Sequence, residues 1–307
     1  MKLTLRQLEY FIALAEMRHF GHAAAKVHIS QPALSVQIKE LEATLGGPLV
    51  ERHARDLTLT PFGRLALEQA KEIVAQVRAL EHSARWRDGL AGKLVIGMIP
   101  TVAPYLFPSA LAELRARDLS LDVQVQEAKT ARLLTALQQG ELDAAVIALP
   151  AEATGLVERP LFEDRFLLAG SHARIANLGQ SLEELRPVSL DPDQLLLLED
   201  GHCLTDQALE VCGRSNHQIN MGASSLATLS RMVAAGFGLT LLPEIAAVTE
   251  CRAAPDMALS RFHGPEPNRT IGLVRRDVAG DDGWFTELGD ILTRVGEELV
   301  QDARAAF

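Results

Sequence analysis

Between Thr60 and Gly89 the apolar residues Phe62, Ala66, Ala70, Ile73, Val77, Leu80 and Ala84 recur at four- and three-residue spacing over more than three heptads. Thr60 is a helix-capping residue, Pro61 suits the first helical position, and the run from Gly89 to Gly92 ends the pattern. The spacing predicts one long helix with a coiled-coil seam, so two copies of the chain should pair along it. In a monomeric alternative the stripe is buried on the chain's own domain. Such a helix divides the chain into a module over 1–60, a linker over 61–90 and a larger domain over 91–307.

Leu5, Leu8, Phe11, Ile12 and Ala15 recur at helical spacing. Ala23, Ala24 and Ala25 then make a small-sided helix that allows close packing, and His28 and Ile29 form a tight turn. Ser30 caps a third helix with Pro32 in its first turn. This is a helix-turn-helix pattern. Leu34, Ile38, Leu41 and Leu45 form the inner stripe of the third helix, leaving Pro32, Ser35, Val36 and Lys39 on a face free to enter a major groove. On it Gln31 and Ser35 suit base edges and Lys39 suits phosphate. Leu49 to Thr60 reads as two short strands around a turn at 53–56, the wing of a winged helix, with Arg52 and Arg55 placed for the nucleic-acid backbone. The alternative is an ordinary three-helix core with a solvated face.

Charge follows the same division. Residues 1–90 hold 12 Lys/Arg against 10 Asp/Glu, whereas the remainder holds 18 against 30, within a net charge of -10. A weakly basic module is joined to an acidic one. From Lys93 the chain alternates strand and helix: LVIGM, a helix to Arg117, LDVQV, a helix from Thr130, and LDAAVIALP, a parallel α/β pattern. EDRFLLAG reads as a strand crossing into a second lobe. That lobe contains LLLLE, a helix over Ser224 to Gly236, and LTLLP, before the chain returns through TIGLVRR to an amphipathic helix with Phe285, Leu288, Leu292, Val295 and Leu299. Lobe I then comprises 91–163 and 268–307, lobe II 164–267, with a cleft between them suited to a small ligand. The whole is an α+β multi-domain architecture: a winged helix-turn-helix, a linker helix and a two-lobed α/β domain. Neither a signal peptide nor a run of eighteen apolar residues is found, so a cytoplasmic protein without a membrane partner is expected.

Two of the three cysteines, Cys203 and Cys212, lie in EDGHCLTDQALEVCG over Glu199 to Gly213. Asp200 and Gly201 suit a helix start, so Cys203 falls in a first helical turn beside His202, where the dipole and free amides favour a thiolate. Nine residues of helix would hold the two cysteines about 13 Å apart, whereas a disulfide needs Cα atoms within about 7 Å. Bonding them would therefore unwind the segment. The alternative is two buried, inert cysteines, the reading also given to Cys251.

The first 60 residues, with SQPALSVQIKELEATLG and ERHARDLTLTPFG, resemble the DNA-binding region of LysR-type transcriptional regulators. The linker helix and the MVAAGFGLTLLP segment of a periplasmic-binding-protein-like effector domain extend the resemblance over the whole chain. Within that family, LLEDGHCLTDQALEVC is similar to the peroxide-sensing segment of the OxyR group. The resemblance implies a cytoplasmic homotetramer on an inverted-repeat operator in double-stranded DNA, contacted through Gln31, Pro32, Ser35, Lys39, Arg52 and Arg55, controlling oxidative-stress genes. Hydrogen peroxide would oxidise Cys203 to a sulfenic acid that Cys212 resolves to a disulfide. Thr101, Thr130, His202, Asp206 and Arg276 would bind peroxide or stabilise the thiolate. It further implies RNA polymerase and a thiol reductant such as glutaredoxin or thioredoxin as partners, no cofactor or metal, and no enzymatic role. Where this chain departs from the pattern is GRSNHQINM, over Gly213 to Met221, which carries no recognisable motif. Two rivals remain open: a small metabolite held in the cleft by Thr101 and Ser225, or a thiol peroxidase.

Overall fold

The computed structural model describes residues 3–52, 57–85, 93–117, 121–178, 186–187, 190, 194–199, 222–277 and 283–307. The chain divides near Ala84 into two compact units.

In the first unit, α1 (Leu5–Met17) starts from a reciprocal capping box between Thr4 and Gln7. It packs on α2 (Phe20–Lys26) and α3 (Gln31–Leu45) through Phe11, Leu14, Leu34, Ile38 and Leu41, all fully buried. Ala23 and Ala24 are buried at the α1–α2 approach, and the turn before α3 places His28 at φ 56°. Ser30 caps α3 by accepting a hydrogen bond from the Ala33 N–H (3.3 Å). Leu45 departs from the expected stripe: it is the last helical residue, ahead of left-handed Gly46, and it is exposed.

Strands β1 (Val50–Arg52) and β2 (Leu57–Leu59) pair antiparallel as the wing, whose turn and Arg55 lie outside the described residues. Glu42 of α3 accepts hydrogen bonds from the N–H groups of Leu49 (2.8 Å) and Val50 (3.3 Å), tying the wing to the third helix. Thr60 caps α4 (Pro61–Arg85) through the Gly63 N–H (2.7 Å).

The seam expected on α4 splits in two. Ala70 and Val74, with Ala66 and Leu67 beside them, turn into the three-helix core, whereas Phe62, Leu65, Ile73 and Leu80 are exposed, Leu80 at 72%. A straight helix of 3.6 residues per turn presents its rows along two adjacent lines, and here one serves the unit's own core. The monomeric alternative thus describes one face, and the other is left exposed.

In the second unit, parallel β3 (Lys93–Met98), β4 (Asp122–Glu127) and β5 (Ala144–Ala148) alternate with α5 (Ala103–Arg117) and α6 (Thr130–Gln138). The sheet is mixed rather than wholly parallel. β11 (Asn268–Arg276) runs antiparallel between β5 and β6 (Leu156–Ser171), in the order β4-β3-β5-β11-β6. β6 is 16 residues long. Its first ten pair with β11, and its last six with β9 (Thr240–Pro243) and β10 (Met257–Ser260), so one strand passes from one lobe to the other.

The second lobe adds α7 (His172–Leu178), α8 (Leu226–Ala234), α9 (Glu244–Ala253) and the parallel pair β7 (Leu197–Leu198) and β8 (Gly222–Ala223). The final helix α10 (Trp284–Ala306) packs on α5, α9 and β6, with Leu288, Ile291 and Leu292 fully buried. Among the described residues no helix is long and apolar enough to cross a membrane.

Candidate functional site

The carboxyl ends of β3 and β4 lie side by side, Met98 opposite Glu127. Three residues beyond them come Thr101, buried in the turn before α5, and Thr130, the first residue of α6, where Lys129 rather than Thr130 fills the cap position. Loops beyond the carboxyl ends of parallel strands are where open α/β sheets bind ligands. Because β11 is antiparallel to β5, its amino end reaches the same edge, and it brings Arg269 there.

Arg269 is held on all sides. Its Nη1 donates to Thr101 Oγ1 (2.9 Å), its Nε to Asp164 Oδ2 (2.9 Å), and its Nη2 lies 2.8 Å from the same carboxylate oxygen. Asp164 Oδ1 in turn accepts the Ile245 N–H (3.1 Å) in the first turn of α9. The guanidinium carbon stands 5.8 Å from the centre of the Phe166 ring. Strand register sets this arrangement: Arg269 and Asp164 are direct cross-strand partners, and β6 alternation puts Phe162, Asp164 and Phe166 on one buried face. Complete burial pushes the Asp164 carboxyl above its ordinary range, opposed by Arg269 and by the Ile245 N–H.

Arg276 does not reach Thr101. It ends β11 opposite Leu156, about 23 Å along the strand from Arg269 at roughly 3.3 Å per residue, at the other edge of the sheet. The arginine brought to Thr101 is therefore Arg269. A sequence signal against Arg276 exists: in NRTIGLVRR, Arg269 and Arg275 lie in phase with Ile271 and Leu273 on the apolar face of the strand, whereas Arg276 does not.

Two further carboxylates fix α9. Fully buried Glu244 takes Arg261 (2.9 Å) and, from α10, Arg304 (3.0 Å). Glu250 accepts the Tyr105 hydroxyl of α5 (2.8 Å), and burial ahead of Glu250's charge pushes the Tyr105 phenol well above its ordinary range. Ser225 caps α8 by accepting the Thr228 N–H (3.2 Å). Cys203, Cys212, His202 and Asp206 lie outside the described residues. The chain leaves for them after β7, whose following Glu199 N–H donates to Ala223 (3.0 Å), and returns at β8.

Half-buried Cys251 on α9 has its thiol pushed up to about 11, by burial first and by the adjacent Glu250 second. A raised thiol is protonated at neutral pH and reacts only as pH climbs toward that value. In a Cys203→Ser/Cys212→Ser background, iodoacetamide labelling of Cys251 is expected to be slow at pH 7.5 and to rise about tenfold per pH unit above it. A plateau below pH 9 would contradict the burial.

On the first unit Gln31, Pro32 and Lys39 are exposed on α3, Ser35 is half-buried, and Arg52 closes β1. The third helix and the wing therefore belong to one braced surface, apart from Arg55. Among the described residues no three His, Cys, Asp or Glu side chains converge as metal ligands would.

Residues 5–64 match the bacterial regulatory helix-turn-helix protein, lysR family, and residues 87–281 match the LysR substrate binding domain. A hydrogen peroxide-inducible genes activator of Dickeya chrysanthemi is 40% identical over 293 residues, covering 94% of each chain. Full-length OxyR of Pseudomonas aeruginosa, solved as a cysteine-to-aspartate variant, is similar at TM-score 0.71 and 32% identity over 97% of this chain and 95% of that one. A cysteine-to-serine mutant of Corynebacterium glutamicum OxyR, in its H2O2-bound form, is similar at TM-score 0.64 and 36% identity over 100% and 98%.

Proposed function

This chain belongs to the LysR family of bacterial DNA-binding regulators, and from that footing we propose that it is a peroxide-sensing activator of the OxyR type. The observation that carries the reading is the buried Arg269, which presents a guanidinium N–H to Thr101 beyond the carboxyl end of β3. Full-length similarity to a peroxide-inducible genes activator supports it.

In this reading the Cys203 thiolate attacks one oxygen of hydrogen peroxide. An S–O bond forms, the O–O bond breaks, and the departing hydroxide takes a proton to leave as water. Cys212 then attacks the sulfenic sulfur, forming the disulfide and expelling a second water, so two thiols supply the two electrons that reduce one peroxide. Thr101 and Thr130 orient the peroxide, Arg269 stabilises charge on the leaving oxygen in the role first given to Arg276, and His202 and Asp206 complete the thiolate's surroundings. The chemistry is stoichiometric, as suits a sensor rather than an enzyme. A cytoplasmic thiol reductant of the thioredoxin or glutaredoxin type resets it.

The exposed row Phe62, Leu65, Ile73 and Leu80 on α4 pairs two copies, and two such dimers form a tetramer on an inverted-repeat operator. Gln31, Pro32, Ser35 and Lys39 face base edges and phosphate, with Arg52 and Arg55 on the backbone, and the oxidised tetramer recruits RNA polymerase.

Cys203→Ser is the test. In a promoter–reporter strain the variant is expected to lose the peroxide response entirely while the protein still binds its operator. An unchanged response would overturn the reading and point to a metabolite in the cleft beside Thr101 and Ser225. Consumption of many peroxide equivalents per chain would point to a peroxidase.

A further inference from the structure

Val36 stands in the middle of α3, is 52% exposed, and is a β-branched residue where a helix surface favours Gln, Lys or Glu. A single exposed apolar side chain is ordinary on a protein surface. This one lies four residues beyond exposed Pro32, on the same helical row, between Ser35 and Lys39. The two make a small apolar ridge along the face that meets DNA. In a major groove only thymine presents an apolar group, its C5 methyl. The Val36 side chain ends in two methyls held in one rotamer and carries no donor or acceptor to satisfy any base edge.

We infer that Val36 is a specificity-determining residue that packs its γ-methyls on the C5 methyl of one thymine in each operator half-site. The inference rests on the reading that this face of α3 meets base edges. At about 1.5 Å per residue Val36 lies about 6 Å beyond Pro32 along the helix.

The test begins by selecting the preferred operator from a random duplex pool with the full-length protein. Each thymine is then replaced by deoxyuridine, which removes the methyl and leaves every hydrogen-bonding group. At one position per half-site the replacement is expected to weaken wild-type binding three- to fourfold, the worth of about one buried methyl group. Val36→Ala, a substitution the helix favours, should bind thymine and deoxyuridine there equally, and its selected consensus should relax at that position alone. A wild-type protein indifferent to deoxyuridine everywhere, or a Val36→Ala protein with the same penalty, overturns the inference. Lys39→Ala separates it from its premise: this variant should lose affinity on all sequences and flatten the salt dependence by about one counterion. If Lys39→Ala and Gln31→Ala both bind normally, the face itself is misassigned and the inference falls with it. If they weaken binding while the deoxyuridine test fails, only Val36 is excluded.

Discussion

Arg269→Met is expected to cost the larger unit about 3–5 kcal/mol, because it strands a carboxylate with no water to turn to. Asp164 is fully buried, and Arg269 supplies both contacts to Oδ2, leaving only the Ile245 N–H on Oδ1. Methionine roughly fills the volume of the lost side chain, so the penalty is that of an unpaired buried charge rather than of a cavity. The deficit has a defined pH dependence. Burial already raises the Asp164 carboxyl above its ordinary 3.8, and removing the guanidinium raises it further. A raised carboxyl contributes its stability below the unfolded value and loses it as pH rises through the folded one, so the gap between variant and wild type should narrow toward pH 4 and be widest near neutrality. Urea unfolding across pH 4.5–8 measures this directly, and a deficit under 1 kcal/mol at pH 7 would sink the account. Adding Asp164→Asn to Arg269→Met should restore much of the stability, since the stranded charge is gone. The peroxide response should remain lost in that double variant, which separates the role of Arg269 toward Thr101 from its role in the fold.

That pair also marks what the sequence made legible. The helix-turn-helix was readable because its signals are local: a capping serine and proline open α3, the Thr60–Pro61 pair ends the wing, and small alanines mark the α1–α2 approach. Strands β3 and β5 announced themselves by apolar runs and β4 by alternation, each set between helical stretches. The arginine beside Thr101 was harder: alternation along the strand admits Arg269 and Arg275 but not Arg276, and the β6–β11 register, which sets Arg269 opposite Asp164, decides between those two. Helix α9 gave little signal because its buried face, beside Ile245, is made of alanines and two carboxylates, Glu244 and Glu250, whose partners Arg304 and Tyr105 are far away in sequence. The α4 stripe misled for the opposite reason: one apolar repeat on the page serves two partners in space.

Gly63→Ala should disable the DNA-binding unit, although alanine normally strengthens a helix by about 1 kcal/mol over glycine. Gly63 occupies the first turn of α4, where a Cβ would stand 2.0 Å from the backbone oxygen of Leu49 and 2.9 Å from its carbonyl carbon. These are backbone atoms, so no side-chain rotation relieves the overlap. Nor is Leu49 free to retreat: it is fully buried, its N–H donates to Glu42, and its carbonyl accepts the Thr60 N–H (3.1 Å). Either α4 lifts from the core, exposing Ala70 and Val74, or the wing detaches from α3. Strain of this kind costs about 1–3 kcal/mol. Because the wing and the third helix are braced through Glu42, operator affinity should fall at least tenfold, measured by fluorescence anisotropy, together with an earlier first thermal transition. Disulfide formation at Cys203 and Cys212 under one equivalent of peroxide should proceed as in wild type, since those residues belong to the other unit. A Gly63→Ala protein that binds its operator normally would mean that α4 and the wing accommodate a methyl group which their backbone contact forbids.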